Sequence, residues 1–238
     1  ATQGVLISKN NQIIFEEYAD GYDQNDLGTT WSLAKTFYAA LIGVAIEQGF
    51  DVSLDDPIKK YIPEFSSDDR GDVSLRNLLA MKSGFEITQY ENQEMFFSLN
   101  NLEFALNVKK VAPAGEKYEY NNVNTMLLNP IIKSIFKKGA HEVLANEIFA
   151  PLEISHYGLW QDTEGNDMTY YGIDITPRDL MKFGQLIDNG GVWDGKQIID
   201  QSFLAESIKP LSEGKGEWFG LHWSVRKFDQ NKSLVGLE

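Results

Sequence analysis

The sequence predicts an α+β fold, in which an antiparallel sheet is formed from both chain ends, helices flank it, and a mostly helical region is inserted. Residues 4–8 and 12–18 alternate around a polar turn, which is typical of a β-hairpin, and residues 218–228 have a strand pattern. Between these ends, apolar residues recur mainly at helical spacing. We therefore expect a discontinuous sheet region at 1–30 and 172–238 and a mostly helical region at 31–171.

Besides a short helix that begins at Pro57, seven helices are expected in chain order. The first begins at Ser32, is almost wholly apolar and ends before Gly49, which predicts that it is buried. In the third, Phe96 and Phe97 recur at helical spacing, and we expect them to belong to the core rather than to a ligand site. A tight hairpin is expected at 190–195. The predicted helices lie at 32–48, 74–82, 89–106, 124–138, 141–149, 176–189 and 201–209.

Composition limits the function classes. The chain has 238 residues, of which 42% are hydrophobic, so it can bury a large core. Its net charge of −14 argues against binding of nucleic acid or anionic membranes. It has no cysteine, which excludes disulfides, thiol catalysis and thiolate metal sites. We expect no membrane span, because no run of about 18 apolar residues is present. No signal peptide is recognisable, and the compartment, periplasm or cytoplasm, stays open.

The S-x-x-K pattern, which occurs four times, is the strongest chemical signal. A serine and a lysine three apart on a helix share one face, so the amine can activate the hydroxyl. Of the four pairs, only Ser32 and Lys35 open a buried helix, where burial and the helix dipole both lower the pKa of a lysine. The second pair, Ser134 and Lys137, is expected on the wet side of a helix. The other two pairs begin at Ser212, in a predicted loop, and at Ser224, in a predicted strand.

A second candidate lies at Tyr120 and Asn122, which follow a Pro-Ala-Gly turn and precede a helix. A phenol beside an ammonium such as Lys35 would have a lowered pKa and could act as a base toward Ser32. Asn122 could bind a substrate amide or carbonyl, or orient Lys35. A purely structural Tyr–Asn turn is an equally good interpretation of these residues alone. The other Y-x-N pair, which begins at Tyr90, is better explained as a solvated loop.

Six ordered blocks make the chain resemble the β-lactamase-related serine hydrolases, a family with a class C β-lactamase-like and penicillin-binding-protein-like fold. The blocks are WSLAKTF at 31–37, VSLDDP at 52–57 with YIPEF at 61–65, LLAMKSGF at 78–85, YNN at 120–122, WQD at 160–162 with TPRDL at 176–180, and GVWDG at 191–195. The last two blocks are most similar to the branch of 6-aminohexanoate-dimer hydrolases and esterases. The resemblance implies Ser32 as nucleophile, Lys35 and Tyr120 as the activating pair, and Asn122 near the substrate.

The third family element would be a strand opposite the nucleophile that supplies a second backbone N–H to the oxyanion hole. The chain stops near Gly236, where this element would begin, so Gly236 is the candidate substrate-binding residue. Losing an oxyanion donor costs about 100- to 1,000-fold in turnover. We therefore expect the chain to lack a C-terminal part and to belong to a longer protein.

The resemblance implies a small ester, amide or peptide as substrate and no cofactor. His141, His156 and His222 do not form a metal-binding pattern, and His222 is expected to be an interior residue with satisfied hydrogen bonds. The substrate pockets are expected in the loops 89–101 and 159–171. The main hypothesis is an acyl-enzyme hydrolase such as a carboxylesterase, amidase or β-lactamase. The alternative is a non-catalytic or penicillin-binding relative that keeps the pocket but turns over poorly. The oligomeric state stays open.

Overall fold

The structure, a computed structural model, describes residues 2–87, 91–214 and 217–225. Strands β1 (Gly4–Lys9) and β2 (Gln12–Tyr18) pair antiparallel and confirm the predicted hairpin. Its turn consists of Asn10 and Asn11, which have φ angles of 52° and 60°. Asparagine tolerates this left-handed region, and two such residues form the turn that matches the twist of a hairpin. Tyr90 and Gly236, named above as candidates, lie outside the described residues.

A short strand leads directly into the central helix. Strand β3 (Gly28–Thr29) is followed by a 3-10 turn at Trp31–Leu33 and then by helix α1 (Ala34–Glu47). Every residue of α1 from Ala34 to Ala45 is buried, as its apolar sequence predicts. The helix therefore forms the centre of the core.

Helices from the middle of the chain surround α1. Short 3-10 turns at Ile58–Lys60, Pro63–Phe65 and Asp69–Asp72 precede them, and a π-helical turn at Ala145–Phe149 follows the last. In chain order they are α2 (Leu75–Leu79), α3 (Glu91–Phe97), α4 (Asn101–Leu106), α5 (Asn122–Met126), α6 (Leu128–Phe136) and α7 (Ala140–Leu144). Among these, α5, α6 and α7 contact α1 directly.

Two predicted long helices are each broken in two. The expected helix 89–106 is interrupted because Asn100 caps a new helix, its side chain accepting a hydrogen bond from the backbone N–H of Glu103. The expected helix 124–138 is interrupted at Leu127. Pro130 has no N–H to donate to the carbonyl of Met126, which breaks the helical hydrogen-bond series there.

The remaining elements complete a second layer. Strands β4 (Tyr157–Leu159) and β5 (Ile173–Ile175) form a sheet with β3 in the order β3-β5-β4. Strands β6 (Val192–Trp193) and β7 (Lys196–Gln197) form the predicted hairpin. Strands β8 (Ser212–Gly214), β9 (Glu217–Phe219) and β10 (Ser224–Val225) form a fourth sheet in the order β10-β9-β8. The helices in this part of the chain are α8 (Pro177–Asp188) and α9 (Gln201–Ser207).

The predicted strand at 218–228 is wrong in one respect, because the chain turns between β9 and β10. The N–H of Gly220 donates to the carbonyl of Trp223 at 2.8 Å, and His222 has a φ of 62°. A Cβ on Gly220 would lie 1.9 Å from the carbonyl oxygen of Ser207, so the backbone approaches too closely for a side chain. Ser212, expected in a loop, lies in β8.

The α+β class is confirmed, although the described strands form four small sheets rather than one sheet from both chain ends. The packing of α1 on α9 is close: a Cβ on Gly43 would lie 2.5 Å from side-chain atoms of Ile199 and Phe203. The division into sheet and helical regions stays a prediction. In the described ranges, no helix has both the length and the apolar character that crossing a bilayer requires.

Candidate active site

Ser32 and Lys35 meet at the start of α1. The Lys35 Nζ lies 3.1 Å from the Ser32 Oγ and donates to the main-chain carbonyl of Tyr170 at 2.7 Å. Ser32 lies in the 3-10 turn and Lys35 in the first turn of α1, so both side chains project from one end of a buried helix. The amine is thus held by a fixed backbone acceptor while it contacts the hydroxyl.

The turn that presents Ser32 is fixed by the β3–β5 pairing. The N–H of Thr30 donates to the carbonyl of Ile173 at 2.8 Å, and the N–H of Leu33 donates to the carbonyl of Thr30 at 3.1 Å. Between them, Trp31 has a φ of 49°, which is rare for a bulky residue. The chain therefore changes from strand to helix within a few residues, and Ser32 lies at the bend.

Burial lowers the pKa of Lys35 to about 7. The side chain is only 2% exposed, and the low-polarity surroundings disfavour the charged form. A lysine with this pKa is largely deprotonated just above neutrality, so its amine can accept a proton from a neighbouring hydroxyl.

Tyr120 lies on the other side of the same pair. Its ring centroid lies 5.2 Å from the Lys35 Nζ, and its hydroxyl is near enough to Ser32 for the two side chains to interact. The expectation that its pKa is lowered is wrong. Burial raises the pKa of Tyr120, and the interaction with Ser32 opposes this only in part.

The loop before α5 positions Tyr120. The N–H of Glu119 donates to the carbonyl of Met81 at 2.9 Å, and the Asn121 side chain caps α5 through the N–H of Val123. The Asn121 Nδ2 also donates to the carbonyl of Glu86 at 3.1 Å. The ring of Tyr120 packs edge-on against that of Phe219 in β9. These contacts hold both flanks of Tyr120, so its direction is set by the fold.

A pocket of about 440 Å³ opens beside Ser32, and Asn122 lines it. Phe96, Phe97 and Tyr171 line it as well, so the expectation that Phe97 belongs to the core is wrong, whereas Phe96 lies between the pocket and the core. Phe96 packs partly on the core, whereas Phe97 is 78% exposed. Their helical spacing could not separate a pocket wall from a core face. Of the predicted pocket loops, 89–101 supplies Gln93, Phe96 and Phe97 to the pocket lining, and 159–171 supplies Tyr171.

His222 is buried, but its expected hydrogen bonds are absent within the described residues, where neither ring nitrogen has a partner. Burial lowers its pKa to about 3, and the charge of Lys35 contributes to the same direction. The Thr36 Oγ1 donates to the main-chain carbonyl of His222 at 3.1 Å. His222 therefore stays neutral near the amine.

The structure brings together Ser32, Lys35, Tyr120 and Asn122, while Gly236 lies outside the described residues. Sequence reasoning missed Tyr170, whose carbonyl holds Lys35, and Phe219, which supports Tyr120. A backbone acceptor leaves no signature in the sequence. Strand β5 begins three residues after Tyr170 and is only three residues long.

A family model described as beta-lactamase matches residues 3–237. The chain belongs to the beta-lactamase family. This confirms the resemblance to β-lactamase-related hydrolases inferred from the six blocks.

Individual relatives of this family member are distant. The 6-aminohexanoate-dimer hydrolase of Paenarthrobacter ureafaciens is 20% identical over 87% of this chain and 57% of its own length. An uncharacterised protein of Alkalihalophilus pseudofirmus is 24% identical over 98% of this chain and 73% of its own. The chain thus spans little more than half of the first of these two relatives.

Solved structures share the fold. A protein of Bacillus anthracis, assigned provisionally as a 6-aminohexanoate-dimer hydrolase, has a TM-score of 0.83 at 22% identity and covers 99% of this chain and 68% of its own. A penicillin-binding protein of Bacillus halodurans has a TM-score of 0.73 at 16% identity, over 98% of this chain and 82% of its own. The family and the named relatives support a hydrolase, whereas the structures at this identity show the fold.

Proposed function

We propose that the protein is a serine hydrolase that cleaves an ester or amide through an acyl-enzyme on Ser32. The observation that carries this is the contact of one hydroxyl with a buried amine at 3.1 Å and with a phenol. A serine hydroxyl is a weak nucleophile until a neighbouring base takes its proton. Family membership and the hydrolases among the relatives agree with this chemistry.

Lys35 is the general base in this proposal. With a pKa of about 7, its neutral amine is available near neutrality, whereas the raised pKa of Tyr120 keeps the phenol protonated. The Ser32 Oγ forms a bond to the substrate carbonyl carbon as its proton passes to the Lys35 Nζ. The alternative assignment, in which a phenolate of Tyr120 takes the proton, requires a pKa shift in the opposite direction.

The leaving group must then receive a proton. The Tyr120 hydroxyl donates its proton to the leaving oxygen or nitrogen as the carbonyl carbon–heteroatom bond breaks, and Lys35 reprotonates Tyr120. A water molecule next attacks the acyl ester and gives its proton to Lys35, which passes it to the Ser32 Oγ as the bond between Ser32 and the acyl group breaks and the acid leaves. Each step moves one proton between groups that contact Ser32, so the site returns to its starting state.

The oxyanion and the substrate amide need donors of their own. The backbone N–H of Ser32 is the first oxyanion donor in this proposal, and the N–H of Gly236 stays the predicted second one. Asn122, which lines the pocket beside Ser32, is proposed to hydrogen-bond the substrate. The substrate itself is proposed only as a small ester, amide or peptide.

A nitrophenyl ester assay on the purified protein, with mass spectrometry of the trapped acyl-enzyme, tests the proposal. We expect turnover and a transient acyl adduct on Ser32, both of which disappear in Ser32→Ala. Turnover that persists in Ser32→Ala would refute the assignment. A stable penicillin adduct without ester turnover would favour the non-catalytic relative instead.

A further inference from the structure

The wall of the pocket beside Ser32 is a continuous series of aromatic rings. Trp31 stacks on Tyr171 with centroids 6.0 Å apart, and Phe96 lies 4.8 Å from Tyr171. Phe97 continues the series, at 4.9 Å from Phe96. These rings come from three separate stretches of the chain, and the fold brings them to one side of the nucleophile.

The two ends of this series are unusually exposed. Trp31 is 61% exposed and Phe97 is 78% exposed, although both are large and apolar. Exposed apolar side chains around a concave site commonly mark a place where a ligand covers them. Trp31 is also held in the left-handed backbone region, directly before Ser32, so its ring position is coupled to that of the nucleophile.

Charge is absent from the residues that line this pocket within the described part of the chain. Besides the four rings and Ser32, the lining consists of the amides Gln93 and Asn122. An ammonium or carboxylate placed here would lose water without gaining an opposite charge, which is costly. A neutral apolar group would instead bury surface against the rings.

The position of the proton-transfer groups indicates which part of the substrate enters. The leaving group must lie beside Lys35 and Tyr120, from which its proton comes, and neither of these residues lines the pocket. The group on the other side of the scissile carbonyl is the acyl chain. It is therefore the acyl chain that extends over the aromatic wall.

We propose that this pocket binds neutral, apolar acyl chains of medium length, so that the enzyme favours such esters and amides over acetylated or charged ones. This inference rests on the proposed acyl-enzyme function and deepens it. It sets the chain apart from the substrate that the Paenarthrobacter relative is named for, because a 6-aminohexanoyl group carries a terminal ammonium at neutral pH.

A matched series of p-nitrophenyl esters measures the preference. Each buried methylene is worth about four-fold in binding, so kcat/KM for the hexanoate is expected on the order of 100-fold above that for the acetate. The 6-aminohexanoate has the same chain length and is expected at least about ten-fold below the hexanoate. Equal kcat/KM across the series, or a higher value for the 6-aminohexanoate, would overturn the proposal.

Variants locate the effect in the pocket. Phe96→Ala is expected to reduce the hexanoate-to-acetate ratio by about ten-fold, because it removes the central ring of the wall. Phe50→Ala is the matched control, since Phe50 is also partly exposed and packs on the ring of Phe136, away from the pocket. We expect the ratio of Phe50→Ala to equal that of the unchanged protein. A similar fall in both variants would contradict a role for the pocket.

A second series of hexanoate esters varies the alcohol instead of the acyl chain. We expect kcat/KM to change less along this series than along the acyl series. A larger change along the alcohol series would place the leaving group in the pocket and overturn the proposal.

Binding without turnover separates this inference from the proposed function. Ser32→Ala protein is titrated with methyl hexanoate and methyl acetate, with tryptophan fluorescence as the signal. We expect the hexanoate to bind about 100-fold more tightly, whether or not Ser32 is the nucleophile. Equal affinities would overturn the acyl pocket even if ester turnover depends on Ser32. Tighter hexanoate binding without any turnover would overturn only the hydrolase.

Discussion

Two serine–lysine pairs with the same spacing lie in contrasting parts of the molecule. Lys35, at the start of α1, is 2% exposed and contacts the Ser32 Oγ. Lys137, just after α6, is exposed and donates to the main-chain carbonyl of Ser134 at 2.6 Å rather than to its hydroxyl. Lys137 is also in the left-handed conformation that ends α6, which turns its side chain back along the helix.

The difference shows that the S-x-x-K spacing brings a serine and a lysine close together but does not by itself bury the amine or direct it to the hydroxyl. The pKa of Lys35 falls to about 7 because the helix it opens is buried over its whole first two turns. Lys137 is exposed, and its amine is bound to a main-chain carbonyl rather than to the Ser134 hydroxyl. The second pair is therefore a control that the chain itself provides for the first.

The largest expected difference in activity is between the variants that remove the amine of Lys35 and the amine of Lys137. Lys35→Met is expected to lower kcat/KM for a nitrophenyl ester about 1,000-fold, because general base catalysis contributes on the order of 100- to 10,000-fold. Lys137→Met is expected to change it less than two-fold. Steady-state kinetics of both variants measures the contrast, and an equal effect of the two substitutions would mean that burial of Lys35 does not matter.

The phenol can be removed without changing the shape of the site. Tyr120→Phe is expected to lower kcat about 100-fold, because it removes the hydroxyl that interacts with Ser32 and that we propose protonates the leaving group. The loss should be smaller for p-nitrophenyl esters, whose leaving group needs no proton, than for anilides. An identical loss for the two substrate types would argue against proton donation by Tyr120. The matched control is Tyr118→Phe, because Tyr118 packs on the same Phe219 ring.

The pH profile tests the shifted pKa itself. Between pH 7 and pH 5, kcat/KM is expected to fall about ten-fold per pH unit, because Lys35 gains a proton below its pKa of about 7. His222 also faces this amine, but its pKa of about 3 keeps it neutral throughout this range. A profile that is flat from pH 5 to pH 9 would contradict Lys35 as the base.

The smallest expected effect is on stability, where Lys35→Met should be favourable although it lowers activity. A lysine whose folded pKa is lowered makes the protein less stable as the pH falls from about 10.5 to about 7, because only the unfolded chain gains the proton. Lys35→Met should therefore raise the free energy of unfolding at pH 7 by about 1–3 kcal/mol, after the lost hydrogen bond to Tyr170 is counted. The gain should shrink at pH 10. Denaturant unfolding of both proteins at pH 7 and pH 10 measures this change in the free energy of unfolding. If Lys35→Met lowered the stability at pH 7, burial of the amine would not destabilise the folded protein.

The sequence could predict which side chains meet at the candidate site because its signals are local. An apolar helix after Ser32 indicates burial, and the turn before Tyr120 indicates a fixed loop, so both side chains could be chosen from several copies of their motifs. The direction of the pKa shift of Tyr120 was wrong because the extent of its burial depends on Phe219 and other distant residues. The local sequence pattern therefore indicates which side chains lie at the site, whereas their pKa values depend on how the rest of the chain packs around them.

The aromatic character of the pocket could not be predicted for a related reason, although the stretches that line it could. Phe96 and Phe97 have the spacing of a core face, and only the folded chain places them beside Tyr171 and Ser32. The turn at His222 was likewise hidden in an apolar pattern, because its cause is the close approach of Gly220 to Ser207. These features depend on contacts between residues far apart in the chain.

Fluorophosphonate labelling as a function of pH tests the central claim most directly, because it reports on the nucleophile and its base in one measurement. Peptide mass spectrometry should find the adduct on Ser32 and none on Ser134, with a labelling rate that rises ten-fold per pH unit up to a pKa near 7. In Lys35→Met, we expect the labelling rate of Ser32 to lose this dependence on pH. An adduct on another serine, or a Ser32 rate that ignores pH, would contradict the account.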